Sequence, residues 1–324
     1  MTLPSDILLT VTASTGYFRR QAPIIRYLVN QGANVSVTTS EGDTPLHLLL
    51  TRGEEDDRLE CIKFLIDAGC NPCARNSAGQ TPLHTAASGA YSRTWILEYL
   101  ISRGVPLPQD ILLSCKTSAT LQFFLQKGLG LHKIPANDLR NLMYRVLDCD
   151  SPEDGDHVGF AKILVSVGWD PLLKSSTGET IIHAAARNRH VDVIKFFLFQ
   201  NIPLPPDVLL AGLPSIHSTH WCAHRLVPLI SFLVREGASV NVAAASGDTP
   251  LHLALTHNFP PEIGDVRQRD SWKVVEILLD GGADSYARNS DGQTPLDLAE
   301  AKGHFFKENF LRLVRNAEAR RPRS

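Results

Sequence analysis

The apolar residues along this chain return in one shape. A stretch with hydrophobic positions at i, i+3, i+4 and i+7 appears as IIRYLVNQG ending at Gly32, CIKFLIDAG at Gly69, WILEYLISRG at Gly104, TLQFFLQKG at Gly128, FAKILVSVG at Gly168, VIKFFLFQN at Asn201, LISFLVREG at Gly237 and VVEILLDGG at Gly282. That pattern predicts helices with one buried stripe, each closed by Gly, or once Asn, where a left-handed C-terminal cap is needed. NFLRLVRN at 309–316 reads as a ninth such helix. The helix ends fall about 36 residues apart, which marks a repeat array and changes how the length is read.

A second signature follows five of these helices: GDTPLH at 42–47, GQTPLH at 79–84, GETIIH at 178–183, GDTPLH at 247–252 and GQTPLD at 292–297. Gly permits a tight turn, Thr caps a helix start, and Pro takes the first helical position, where its missing N–H costs nothing. The Thr-Pro-Leu-His block, the period and the Gly-Ala after the second helix resemble the ankyrin repeat from about Leu3 to Val314. The resemblance implies an α-solenoid: antiparallel helix pairs joined by β-hairpin loops, with a concave face of hairpin tips and first helices. Stacking is also what the physics requires, since one helix pair cannot bury its stripe alone.

A longer period lies above the short one. LPSDILL (3–9), LPQDILL (107–113) and LPPDVLL (204–210) stand about 100 residues apart, and ARNSAGQTPL (74–83) reads almost unchanged as ARNSDGQTPL (287–296). The chain is thus read as one solenoid over 1–324 in three blocks, 1–105, 106–203 and 204–324, with a basic tail at 315–324. Asp6, Asp110 and Asp207 are placed to cap the helix that opens each block. Where Leu-Pro follows Gly104 or Asn201, about six residues remain before the next helix, too few for a hairpin. Full hairpins are therefore expected near 33–43, 70–80, 169–179, 238–248 and 283–293, with stunted ones elsewhere and none at 104–110 or 201–207. Longer acidic inserts at 52–58, 151–156 and 258–270 read as solvated tips at the opposite end of the helices.

Of the 324 residues 43% are hydrophobic and 20% charged, enough to fold and bury a core. The net charge of −2 offers no field for general nucleic-acid binding. No apolar run reaches the length of a membrane span and no leader pattern opens the chain, so a cytoplasmic or nuclear monomer is the expectation. Six cysteines in so long a chain call for no disulfide framework.

His47, His84, His183 and His252 each occupy the fourth position of the helix block. The family resemblance makes them structural, bonding neighbouring hairpin backbone, and histidines one repeat apart stand about 10 Å apart, too far to share an ion. Cys70 and Cys73 form a CxxC, but in register with Ala33–Ser36 and Ala283–Tyr286, which makes it a hairpin stem. His217, His220 and His224, spaced i, i+3, i+7, are the one constellation able to hold a transition metal. A metal-binding or metal-dependent protein is accordingly the alternative to a binding scaffold. No phosphate loop, nucleophile elbow or HExxH helix occurs, so no enzyme activity and no cofactor are expected.

The resemblance leaves certain positions free for a protein partner: the hairpin tips, the residue before Thr-Pro and the end of the first helix. These are Ser40, Glu41, Asp43 and Arg52 in the first full repeat, Ser77 and Gln80 in the second, and Ser176, Thr177, Glu179, Arg187 and Asn188 in the third. Ser246, Asp248 and His257 follow in the fourth, and Asp291 and Gln293 in the last. Extended concave surfaces suit protein segments rather than small molecules. The expected function is a non-catalytic scaffold or adaptor that binds other polypeptides, with a regulatory module serving a separate effector chain as a further possibility.

Overall fold

The computed structural model describes residues 4, 6–13, 21–51, 57–89, 94–148, 156–213, 226–257 and 266–320. These fall into two compact units that meet in sequence between Trp169 and Asp170, inside the middle block of the sequence period.

Unit 1 holds α1 (Ile7–Ala13), α2 (Gln21–Asn30), α3 (Pro45–Leu50), α4 (Asp57–Asp67), α5 (Pro82–Ala87) and α6 (Thr94–Ser102). After a 3-10 helix (Gln109–Ser114) come α7 (Ser118–Gln126), a short 3-10 turn (Leu131–Lys133), α8 (Ala136–Leu147) and α9 (His157–Ser166). Short first helices stack on one another, α1 on α3, α3 on α5 and α5 on the first 3-10 helix, while the longer second helices pair as α2 with α4, α6 with α7 and α7 with α9. Leu46, Ile62, Leu65, Leu83 and Leu97 are fully buried between these two layers. Each such side chain contributes about 1.5–3 kcal/mol relative to exposure.

Unit 2 repeats the plan with α10 (Ile181–Arg187), α11 (Val191–Phe199), α12 (Val208–Gly212), α13 (Leu226–Arg235), α14 (Pro250–His257), α15 (Val266–Asp280), α16 (Pro295–Ala301) and α17 (His304–Arg320). Here α10, α12, α14 and α16 stack in order, and α11, α13, α15 and α17 cover them. The apolar period is what selects these partners: Ile194, Phe197, Ile230, Leu233, Val275 and Leu278 all face inward with no exposure.

The predicted C-terminal caps are in place. Gly32, Gly69, Gly104, Gly128, Gly168, Gly237 and Gly282 all have positive φ, and Asn201 adopts φ 59° in the one position where Asn replaces Gly. The ninth helix is longer than its apolar pattern suggested. It runs to Arg320, whose guanidinium meets Asp280 at 2.7 Å and Glu276 at 3.2 Å on α15. Residues 315–320, read as part of a basic tail, are thus helical, and Ala317 is buried against the unit.

The loops read as β-hairpins are tight turns instead, since no strand forms among the described residues. Each is closed by two backbone bonds. Thr39 N–H donates to Asp43 O at 3.0 Å and Gly42 N–H to Thr39 O at 2.9 Å, and the same pair of bonds closes the turns at 76–80, 175–179, 244–248 and 289–293. At 104–110 and 201–207 no such turn is present; the chain passes from the helix cap almost directly into the next helical segment. Among the described residues the fingers are therefore five, with gaps where Leu-Pro shortens the connection.

Candidate protein-binding site

Each finger is carried by a helix whose start is locked by a capping box. In α3, Thr44 Oγ1 lies 2.9 Å from His47 Nδ1, and Thr44 N–H donates to the same nitrogen at 3.2 Å. His84, His183 and His252 repeat the arrangement with Thr81, Thr180 and Thr249. Because Nδ1 accepts the threonine amide, the proton of the neutral ring sits on Nε2 and is aimed at the next repeat. His47 Nε2 donates to Gln80 O at 3.0 Å, and His252 Nε2 to Gln293 O at 3.0 Å. His47 and His252 are thus ties between successive fingers, as the family resemblance implied, whereas among the described residues His84 and His183 bond no finger backbone through Nε2. Asp297 closes its box on Thr294 alone, at 2.8 Å.

Where the following finger is missing, an aspartate faces the histidine in place of its carbonyl. His183 Nε2 donates to the Asp207 carboxylate at 3.0 Å, and Asp110 Oδ1 approaches His84 Nε2 at 3.5 Å. This revises the role read for the block-opening aspartates. Asp110 lies inside its 3-10 helix and Asp207 precedes α12, and neither side chain caps the helix it opens. Asp207 replaces the carbonyl that a finger would have supplied, while Asp110 only faces His84; sequence spacing alone does not reveal these pairings because the histidine lies 24 or 26 residues earlier. Partial burial pushes the Asp207 carboxyl upward, but the His183 hydrogen bond, its own backbone amide and the charges of His183 and Lys174 together hold it below the usual carboxylate range.

Burial lowers the pKa of His47 and of His84 against the smaller raising effects of Gln80 O and Asp110. The folded chain therefore binds fewer protons at these rings than the unfolded chain, and their contribution is present above the unfolded value near 6.5 and lost as pH falls below it. We expect the urea midpoint of the full chain to fall between pH 7 and pH 5. The His47→Gln variant should show a shallower fall; an identical slope would remove His47 from the cause.

Adjacent fingers also join at their tips. Ser77 N–H donates to Glu41 O at 2.8 Å and Asn76 Nδ2 to Asp43 Oδ1 at 2.8 Å; in unit 2, Ser290 N–H reaches Ser246 O at 3.0 Å and Asn289 Nδ2 reaches Asp248 Oδ1 at 2.9 Å. The two near-identical ARNSxGQTPL segments thus make the same bonds in both units.

The candidate contact residues divide by this geometry. Ser40, Glu41, Ser77, Gln80, Ser176, Thr177, Ser246, Asp291 and Gln293 have exposed side chains at or beside the tips. Asp43 and Asp248 are half-buried and committed to the next finger's asparagine. Glu179 and Arg187, taken as free contacts, are paired with each other, and Asn188 bonds back to Ala184 O. Arg52 and the side chain of His257 lie outside the described residues, as do His217, His220, His224 and most of the three acidic inserts. Among aromatic side chains near the face, Tyr286 is 72% exposed, whereas Trp169 is buried at 5%. Cys70 is buried in its stem, where burial pushes the thiol up to about 11, away from the thiolate that redox or metal chemistry uses; Cys73 is exposed.

Models for ankyrin repeats match residues 12–110, in three copies, and again 177–207 and 246–290, together more than half of the chain. Human BCL-6 corepressor-like protein 1 is 26% identical over 130 residues, which is 40% of this chain and 6% of that protein. Zebrafish (Danio rerio) ankyrin repeat and SOCS box protein 11 is 30% identical over 118 residues, 36% of this chain and 34% of that one. The mouse nuclear factor NF-kappa-B p105 subunit is 30% identical over 140 residues, 42% of this chain and 13% of that one. The matched segments span about a third or less of these relatives. The crystal structure of the human ASB11 ankyrin repeat domain aligns over 99% of this chain and 100% of its own, at 17% identity and a TM-score of 0.37. Capped helix pairs, registered fingers and family models over more than half of its length make this chain a member of the ankyrin repeat family.

Proposed function

We propose that the chain is a non-catalytic scaffold or adaptor that holds partner polypeptides on its finger tips and first helices. The observation that carries this reading is the division of labour in the fingers. Within each closed pair, backbone bonds and a buried histidine fix one finger to the next, so exposed side chains such as Ser40, Glu41 and Ser77 in unit 1 and Ser246 in unit 2 stand on rigid supports at little further ordering cost. The family's general role in protein–protein interaction supports it.

The Glu179–Arg187 pair provides the test, because exchanging the two residues keeps opposite charges facing each other while reversing the charge that the third finger presents. Pull-down from cell extract with the full chain carrying Glu179→Lys and Arg187→Glu should lose partners that the unaltered chain retains. Unchanged recovery by a variant with unchanged thermal unfolding would count against this face.

A further inference from the structure

Among the described residues, three fingers have no finger stacked directly after them, and the chemistry of their open edges differs. Among the described residues, nothing lies within 4 Å of where a side chain would project at Gly79, Gly178 and Gly292, whereas Asn76 Cα stands 3.2 Å from that point at Gly42 and Ser290 N 2.6 Å from it at Gly247. What an edge accepts is written in the two closed pairs. The first finger offers Glu41 O, the Asp43 carboxylate and His47 Nε2–H, which are met by Ser77 N–H, the Asn76 side-chain amide and Gln80 O. The fourth offers Ser246 O, Asp248 and His252 to the fifth in the same way.

At the open edge of the second finger the same three places hold Ala78 O, the Gln80 side chain and His84 Nε2. His84 is only 4% exposed and its Nε2 has no hydrogen-bond partner. Asp110 stands 3.5 Å away, beyond the 3.0 Å at which Asp207 satisfies His183, and its own side chain is 61% exposed and can turn aside. The other two open edges lack this donor: His183 is engaged by Asp207, and the last finger carries Asp297 in place of histidine. Among the described residues, the second finger alone presents an open edge with a buried N–H still to be satisfied.

We propose that this edge docks a tight turn of a partner polypeptide, which adds itself as the finger the chain lacks. The incoming turn places a carbonyl on His84 Nε2–H, an amide N–H on Ala78 O and an asparagine-type amide on the Gln80 side-chain carbonyl. Open backbone edges are the usual templates for such addition, with main-chain bonds giving affinity and side-chain amides register. The proposal rests on the protein-binding reading above and names one place and one chemistry for it.

The chain's own fifth finger is a ready probe. A synthetic peptide of residues 284–296 is titrated into the isotope-labelled full chain and followed by amide and imidazole NMR. The expected result is saturable shifts at Ala78, Gly79, Gln80 and the His84 ring, with Gly42 and Gly247 unmoved, and at least a fivefold weaker response to the peptide carrying Asn289→Ala. No saturable shift by about 1 mM peptide, the weak end of specific affinity, overturns the proposal, as do equal shifts at Gly42 or indifference to Asn289→Ala. If the charge-exchange variant loses partners while the peptide has no effect, the protein-binding reading stands and this docking edge falls.

Discussion

Replacing Gly247 by alanine should destabilise unit 2 by about 3 kcal/mol, whereas the same change at Gly292 should cost about 1 kcal/mol. Both residues sit at φ +75°, so both variants carry the strain of a side chain in the left-handed region, about 1–2 kcal/mol. The difference is the neighbour. The methyl group at 247 would stand 2.6 Å from the backbone nitrogen of Ser290 and 3.1 Å from the carbonyl carbon of Asn289, and a bonded backbone cannot move aside as a flexible side chain can. Relief would require parting the fourth and fifth fingers, breaking the bonds from Ser290 N–H to Ser246 O and from Asn289 to Asp248, with an overpacking cost of about 1–3 kcal/mol besides. At Gly292 the space is open among the described residues. Urea unfolding of both variants, followed by circular dichroism, measures the difference; equal losses would mean that the finger contact contributes nothing.

His252→Ala is the second large effect, with an expected loss of about 3–4 kcal/mol. The ring is fully buried and serves three groups at once: Thr249 N–H, Thr249 Oγ1 and Gln293 O. Removing it uncaps α14, at about 1 kcal/mol, releases the tie to the next finger, at about 1 kcal/mol, and leaves a cavity where an imidazole was packed. Asp297→Ala is the internal comparison, since Asp297 closes the same box at the surface with no finger beyond it; its loss should be clearly smaller. Hydrogen exchange gives an independent readout. The Ser290 amide should lose protection in His252→Ala as the fifth finger loosens, and retained protection there would show that the tip bond does not depend on the histidine tie.

How far the sequence could be read depended on whether a residue's partner is local. Caps and capping boxes are made within four residues, so Gly32, Gly69 and the Thr-Pro-Leu-His blocks announced themselves, and the shortened Leu-Pro connections foretold that no finger forms at 104–110 or 201–207. Asp110 and Asp207 do not take the capping role their spacing suggests, because their partners are not local. Asp207 answers His183 across 24 residues, and only the stacking of α12 on α10 brings them together. Glu179 and Arg187 looked free for the same reason: they are eight residues apart, at the two ends of a turn-and-helix unit whose fold aims them at each other.

The sequence by itself determined the repeat, the helix ends, the five fingers and the family, because each follows from a short pattern that the backbone obeys locally. The tertiary structure decided which edges are closed and which are open, and which polar groups are already engaged. Those depend on contacts between repeats, where a carbonyl, a carboxylate or empty space beside an identical histidine makes the difference between a tie and a place to bind.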